Sequence, residues 1–171
     1  MKTSIENSLP PCSKVWIYQS TRRFTQGEAE TIREKVKQFV AQWNSHKVGV
    51  AGDGELLFDR FIVLMADELQ VGVGGCSIDS SVHFIKSLGN EYRTNFFDRW
   101  LIAYKKDDTV LACNREEFEK LIEAGEIADD TIVFNTLLNT KKDFDGKWEV
   151  PYSESWLKNL RSSHVSFSSI L

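Results

Sequence analysis

Six consecutive apolar residues, Phe61, Ile62, Val63, Leu64, Met65 and Ala66, constrain this chain more than any other stretch. A run this short, bounded by polar residues and rich in β-branched side chains, reads as a buried strand. It falls well below the roughly 18–20 apolar residues that a bilayer crossing needs, so no membrane partner is expected. Gly72, Gly74 and Gly75 follow, then Cys76, Ser77, Asp79, Ser80 and Ser81. The segment 81–88 reads as a helix with Val82, Ile85 and Leu88 inward and Lys86 outward. A strand, a glycine-rich turn and a helix start made of small hydroxylated residues form a natural anion site. Backbone N–H groups of the turn and the positive end of the helix dipole converge there.

The expected ligand-binding residues are therefore Gly74, Gly75, Cys76, Ser77, Asp79, Ser80 and Ser81. Asp79 or Ser77 is also expected to cap the helix, which would place a carboxylate or hydroxyl against the same N–H groups. Cys76 and His83 are the candidate catalytic residues of a rival reading, a thiol-dependent enzyme. A thiol at a helix N-terminus has its thiolate stabilised and its pKa lowered. If the helix includes Cys76, then Cys76, Asp79 and His83 line up at i, i+3 and i+7. Seven residues at 1.5 Å each still leave His83 about 10 Å from Cys76, too far for direct proton transfer.

The remaining elements follow from period and caps. Segment 15–19 reads as a strand. Thr25 and Glu28 form a capping box, after which Ala29, Ile32, Val36, Phe39, Val40 and Trp43 make one apolar helical stripe ending near Asn44. Segment 47–58 reads as a glycine-interrupted strand and 97–104 as another. The order strand, helix, strand, strand, helix, strand predicts an α+β fold, an antiparallel sheet with helices packed on one face. A ferredoxin-like βαββαβ core is the leading arrangement, with other α+β arrangements open. A C-terminal β-α-β-α extension follows: a strand over 109–113, a helix from Asn114 to Gly125, a strand over 131–134, a turn at Asp145 and Gly146, and a helix capped by Ser153. The expected partition is a leader over residues 1–14, a core over 15–106, an extension or small subdomain over 107–161 and a tail over 162–171.

Composition narrows the function classes. With 171 residues the chain can hide roughly 70% of its unfolded surface without metals or disulfides. Three cysteines, odd in number and far apart, fit free thiols in a reducing cytoplasm, the expected location. A net charge of -4 opposes general nucleic-acid binding, so no nucleic-acid partner is expected. Asp53, Asp67 and Glu68 are the nearest thing to metal-binding carboxylates, but no metal-ligand spacing supports them, and neither a metal nor any cofactor is implied. Trp100, Trp148 and Trp156 are expected to pack in the core or along its edge.

Several phrases together resemble one family: Trp16-Ile-Tyr-Gln-Ser20, Phe39-Val-Ala-Gln-Trp43, Gly75-Cys-Ser-Ile-Asp-Ser-Ser81, Phe97-Asp-Arg99, Thr131-Ile-Val-Phe-Asn135, Trp148-Glu-Val-Pro151 and Ser155-Trp156. The family is an uncharacterised bacterial one whose members sometimes carry the label "ABC transporter ATPase". The likeness runs from Trp16 to Trp156 and implies no established active site. The label asks for a GxxxxGK[ST] phosphate loop, and no Lys follows a glycine here in that pattern. Separately, Glu123-Ala-Gly-Glu-Ile127, Asp130-Thr-Ile-Val133 and a later Trp are similar to GYF-type adaptor modules, without the GYF tripeptide. That similarity implies peptide docking on aromatic residues.

Three functions are thus expected in competition. The first is a non-ATPase binding protein with a small-ligand or anion site over residues 72–81. The second is the Cys76 thiol enzyme. The third is a peptide or protein adaptor built on Phe134, Trp148 and Trp156.

Overall fold

Helix α1 (Gln26–Ser45) starts where its capping box predicts. The Thr25 N–H donates to Glu28 Oε2 at 2.9 Å, and the Glu28 N–H donates back to Thr25 Oγ1 at 3.3 Å. Arg22 donates to both oxygens of the same carboxylate, at 2.8 and 2.9 Å. Its guanidinium, then the Thr25 N–H, pull the Glu28 carboxyl down to about 2. The computed structural model of the chain describes residues 9–45, 51–67 and 75–163, the side chains of residues 44, 45, 75–77 and 161–163 excepted.

The chain divides into two units, residues 1–98 with 136–146, and residues 99–135 with 147–171. In the first, β1 (Lys14–Gln19), β2 (Gly52–Leu57) and β3 (Phe61–Ala66) form an antiparallel sheet in the order β1-β3-β2. The apolar run is the central strand, and every one of its residues is buried. Leu64 and Ala66 belong to one cluster with Ala29, Ile32, Val36 and Trp43 of α1 and with Ile85 and Leu88 of α2 (Gly75–Glu91). The helices meet through Phe39 and Phe84, whose rings stack with centroids 4.4 Å apart.

Segment 136–146 then lays itself along the outer edge of β1. The Val15 N–H donates to Asn139 O, and the N–H groups of Lys141 and Lys142 donate to Ser13 O and Pro11 O. A turn expected at Asp145 and Gly146 is instead part of a short helix, α4 (Lys141–Lys147). Thr140 caps it by accepting from the Asp143 N–H at 3.2 Å. Buried Phe144 anchors it, and Lys141 pairs with Asp145 one turn on.

The second unit holds β4 (Ile102–Lys106), β5 (Thr109–Cys113), β6 (Ile132–Phe134) and β7 (Glu149–Pro151), ordered β5-β4-β6-β7. Its core gathers Tyr104, Phe118, Ile122, Ile127, Val133 and Tyr152. Helix α3 (Arg115–Glu123) starts after Asn114 as expected, with a capping box between Asn114 and Glu117, and Gly125 follows it at φ 75. The expected last helix is formed as 3₁₀ turns, Tyr152–Glu154 and Trp156–Ser163.

An α+β fold with antiparallel sheets is what the sequence predicts and what forms. The fourth strand of a ferredoxin-like sheet does not join the first sheet. β4 is tied to β5 by a two-residue turn at Asp107 and Asp108, and its other edge pairs with β6, so neither edge is left for β1 or β2. The boundary after residue 98 and the return of 136–146 to the first unit therefore differ from the expected partition at 106 and 107. No helix among the described residues is long and apolar enough to cross a membrane.

Candidate functional site

The expected site is built on the first two turns of α2, and the backbone there differs from the sequence expectation. The helix begins at Gly75, six residues before Ser81. Gly75, Cys76, Ser77, Asp79, Ser80 and Ser81 are thus helical residues, while Gly72 and Gly74 lie outside the described residues. Neither Ser77 nor Asp79 sits at the N-cap position, because both fall inside the helix. Ile78 and Ser81 explain the longer helix. Both fall on its inward side, Ile78 half-buried and Ser81 fully buried. The Ser81 hydroxyl donates to Ile78 O at 2.7 Å, an i to i−3 bond that a helix accommodates.

That placement removes Ser81 from the ligand-facing set. Its hydroxyl also meets Tyr18 of β1, whose phenol is pushed above its ordinary pKa by burial, an effect the Ser81 hydrogen bond partly offsets. Asp79 and Ser80 stay exposed. The first turn of α2 carries no acidic residue, so no carboxylate from within that turn reaches its N–H groups, which have no partner inside the helix. Cys76 is the second helical residue and lies on one helical line with Asp79 and His83, both exposed. Helical rise still separates His83 from Cys76 by about 10 Å. Among the described residues no group of three or more His, Cys, Asp or Glu gathers as a metal site would require.

The line continues. Cys76, Asp79, His83, Lys86 and Asn90 recur at alternating steps of three and four, one side of α2, and the last four are exposed. At its far end the stripe opens into a cleft of about 330 Å³. Lys86, Asn90, Thr94, Asn95, Phe96 and Phe97 line it. Its outer wall is fastened: Thr94 Oγ1 is 2.6 Å from Ser20 Oγ and 3.0 Å from Thr21 Oγ1, and Asn95 Oδ1 accepts from the Phe97 N–H at 2.8 Å. Gly89 is required at the floor, since a Cβ there would come 2.9 Å from the Thr94 carbonyl oxygen. The pattern over 97–104 reads as a strand, whereas β4 starts at Ile102 and residues 94–97 line this cleft instead. The available signal was a glycine inside a helical pattern, a mark of close backbone approach.

The aromatic residues of the adaptor reading separate. Phe134 and Trp148 are core residues, 3% and 4% exposed, meeting edge to face at 5.1 Å. Trp156 stays 46% exposed. Trp100, expected to pack, is 79% exposed: it stands just before β4, outside the strand whose Ala103 and Tyr104 are buried. No protein-family model, curated protein or solved structure matches this chain.

Proposed function

We propose that this chain is a small-ligand binding protein whose primary site takes an anion at the start of α2. The observation that carries the reading is the composition of that first turn, which has no carboxylate of its own to occupy the N–H groups that lack partners within the helix. Gly75 has no side chain to hinder an oxyanion's approach to the backbone. Asp79 stands one turn further along and lowers anion affinity through like charge.

The test uses the full chain with inorganic phosphate, sulfate and nucleoside mono-, di- and triphosphates. Binding raises the melting temperature with anion concentration, by mass action on the folded state. Amide resonances of Gly75, Cys76 and Ser77 move together in the same titration. Asp79→Asn tightens phosphate binding by about two- to five-fold, the range for one half-screened surface charge. A panel that leaves both the melting temperature and these three amides unchanged rejects the site.

The thiol-enzyme reading keeps one specific support, the position of Cys76 in that same acid-free first turn.

A further inference from the structure

The cleft at the opposite end of α2 is a second site, independent of the one above. We infer that it binds a small monocarboxylate with a planar apolar body. Three features of the cleft specify that chemistry. First, two of its polar side chains are uncommitted: among the described residues, the side chains of Lys86 and Asn90 have no polar partner, whereas Thr94 and Asn95 are tied into the wall. One ammonium beside neutral amides balances one negative charge rather than several. Second, the apolar wall is aromatic. Phe97 keeps 43% of its surface exposed while its ring is braced edge to face on Tyr18 at 5.8 Å, so one ring face is offered at little conformational cost. Third, the walls are preformed. Thr94 is held to Ser20 and Thr21, the Thr21 N–H donates to Asn95 O at 3.1 Å, and the Thr94 N–H donates to Gly89 O at 2.9 Å. A cavity of about 330 Å³ lies at the small end of ligand pockets, roughly 300–1,000 Å³.

The charge environment agrees. Glu91, the nearest acid along the helix after Lys86, is engaged by Lys35 of α1 at 2.6 Å and so does not compete for the Lys86 ammonium. Among the described residues that line the cleft, Lys86 alone is charged, and it stands before the last turn of α2. A ligand carboxylate at the mouth and a ring against Phe97 place each ligand group beside its complement.

Benzoate, benzamidine and benzyl alcohol are the probes, of similar size and carrying a negative, a positive and no charge. Isothermal titration and saturation-transfer NMR on the full chain measure their binding. Benzoate is expected to bind in preference to both others. Lys86→Ala, a change on an exposed helix face, weakens benzoate by about three-fold or more, and Lys86→Glu reverses the preference towards benzamidine. Phe97→Ala weakens all three ring probes by about ten-fold, the worth of one aromatic contact. Phosphate binding at the start of α2 does not respond to either Lys86 change, which keeps the two sites distinguishable. Equal binding of the three probes, benzoate affinity indifferent to Lys86→Ala and Lys86→Glu, or no binding of any probe overturns the inference.

Discussion

Cys76 and Cys113 hold different positions in the fold, and their expected chemistry differs accordingly. Cys113, at the end of β5, has its thiol pushed up to about 11, mainly by burial and further by the charge of Glu117. A raised thiol pKa keeps Cys113 protonated, and therefore unreactive, throughout the neutral range. Cys76 is the second residue of α2, and a thiol at a helix N-terminus in general has its thiolate favoured by the dipole. Alkylation of the native protein across a pH series, read site by site by mass spectrometry, is expected to give Cys76 a midpoint below 8.5. Cys113 is expected to stay unlabelled until near its own pKa. A Cys76 midpoint at or above 8.5 removes the thiol-enzyme reading. Ser81 shows the opposite case: a hydroxyl that reads as a ligand donor in the sequence is consumed by Ile78 and Tyr18 once α2 is packed.

Between elements, the fit of α1 on the first sheet depends on a missing side chain. A Cβ at Gly54 of β2 would come 2.8 Å from Leu64 Cδ2 and 3.0 Å from both Val36 Cγ1 and Val40 Cγ2. All three neighbours are in the packed core, so none can retreat without disturbing others. Gly54→Ala is expected to destabilise by about 1–3 kcal/mol, as overpacking does, measured by urea denaturation. Gly146→Ala in α4 is the control. Nothing lies within 4 Å of its added Cβ, and its φ is not positive, so the same substitution stabilises by about 0.4–1 kcal/mol. Equal effects at the two sites would contradict the packing described for α1. The helix caps, by contrast, are local: the box at Thr25 forms as its four-residue pattern predicts, and a second box forms at Asn114, where the helix is expected to start.

For the whole molecule, the consequence of the discontinuous first unit is a dependence on chain far away in sequence. Residues 136–146 satisfy the Val15 N–H and the carbonyls of Ser13 and Pro11, and bring the buried Phe144 and Lys141. A fragment ending at residue 98 leaves those backbone groups unpaired and removes that apolar anchor. It is expected to show no cooperative thermal transition by circular dichroism, whereas the full chain melts cooperatively. A sharp two-state melt of the fragment would show that the returning segment is dispensable. The amino-acid pattern encodes whatever depends on neighbours a few residues apart: β3 as a buried strand, the apolar stripe and start of α1, and the cap and glycine stop of α3. Periodicity and capping encode those directly, because they report which face is apolar and where N–H groups need partners. Tertiary structure alone decided that β4 serves the second sheet, that α2 extends back to Gly75, and that a cleft opens between α2 and the loop after it. An apolar face is compatible with many coverings, and choosing among them depends on long-range pairing and packing that no local pattern records.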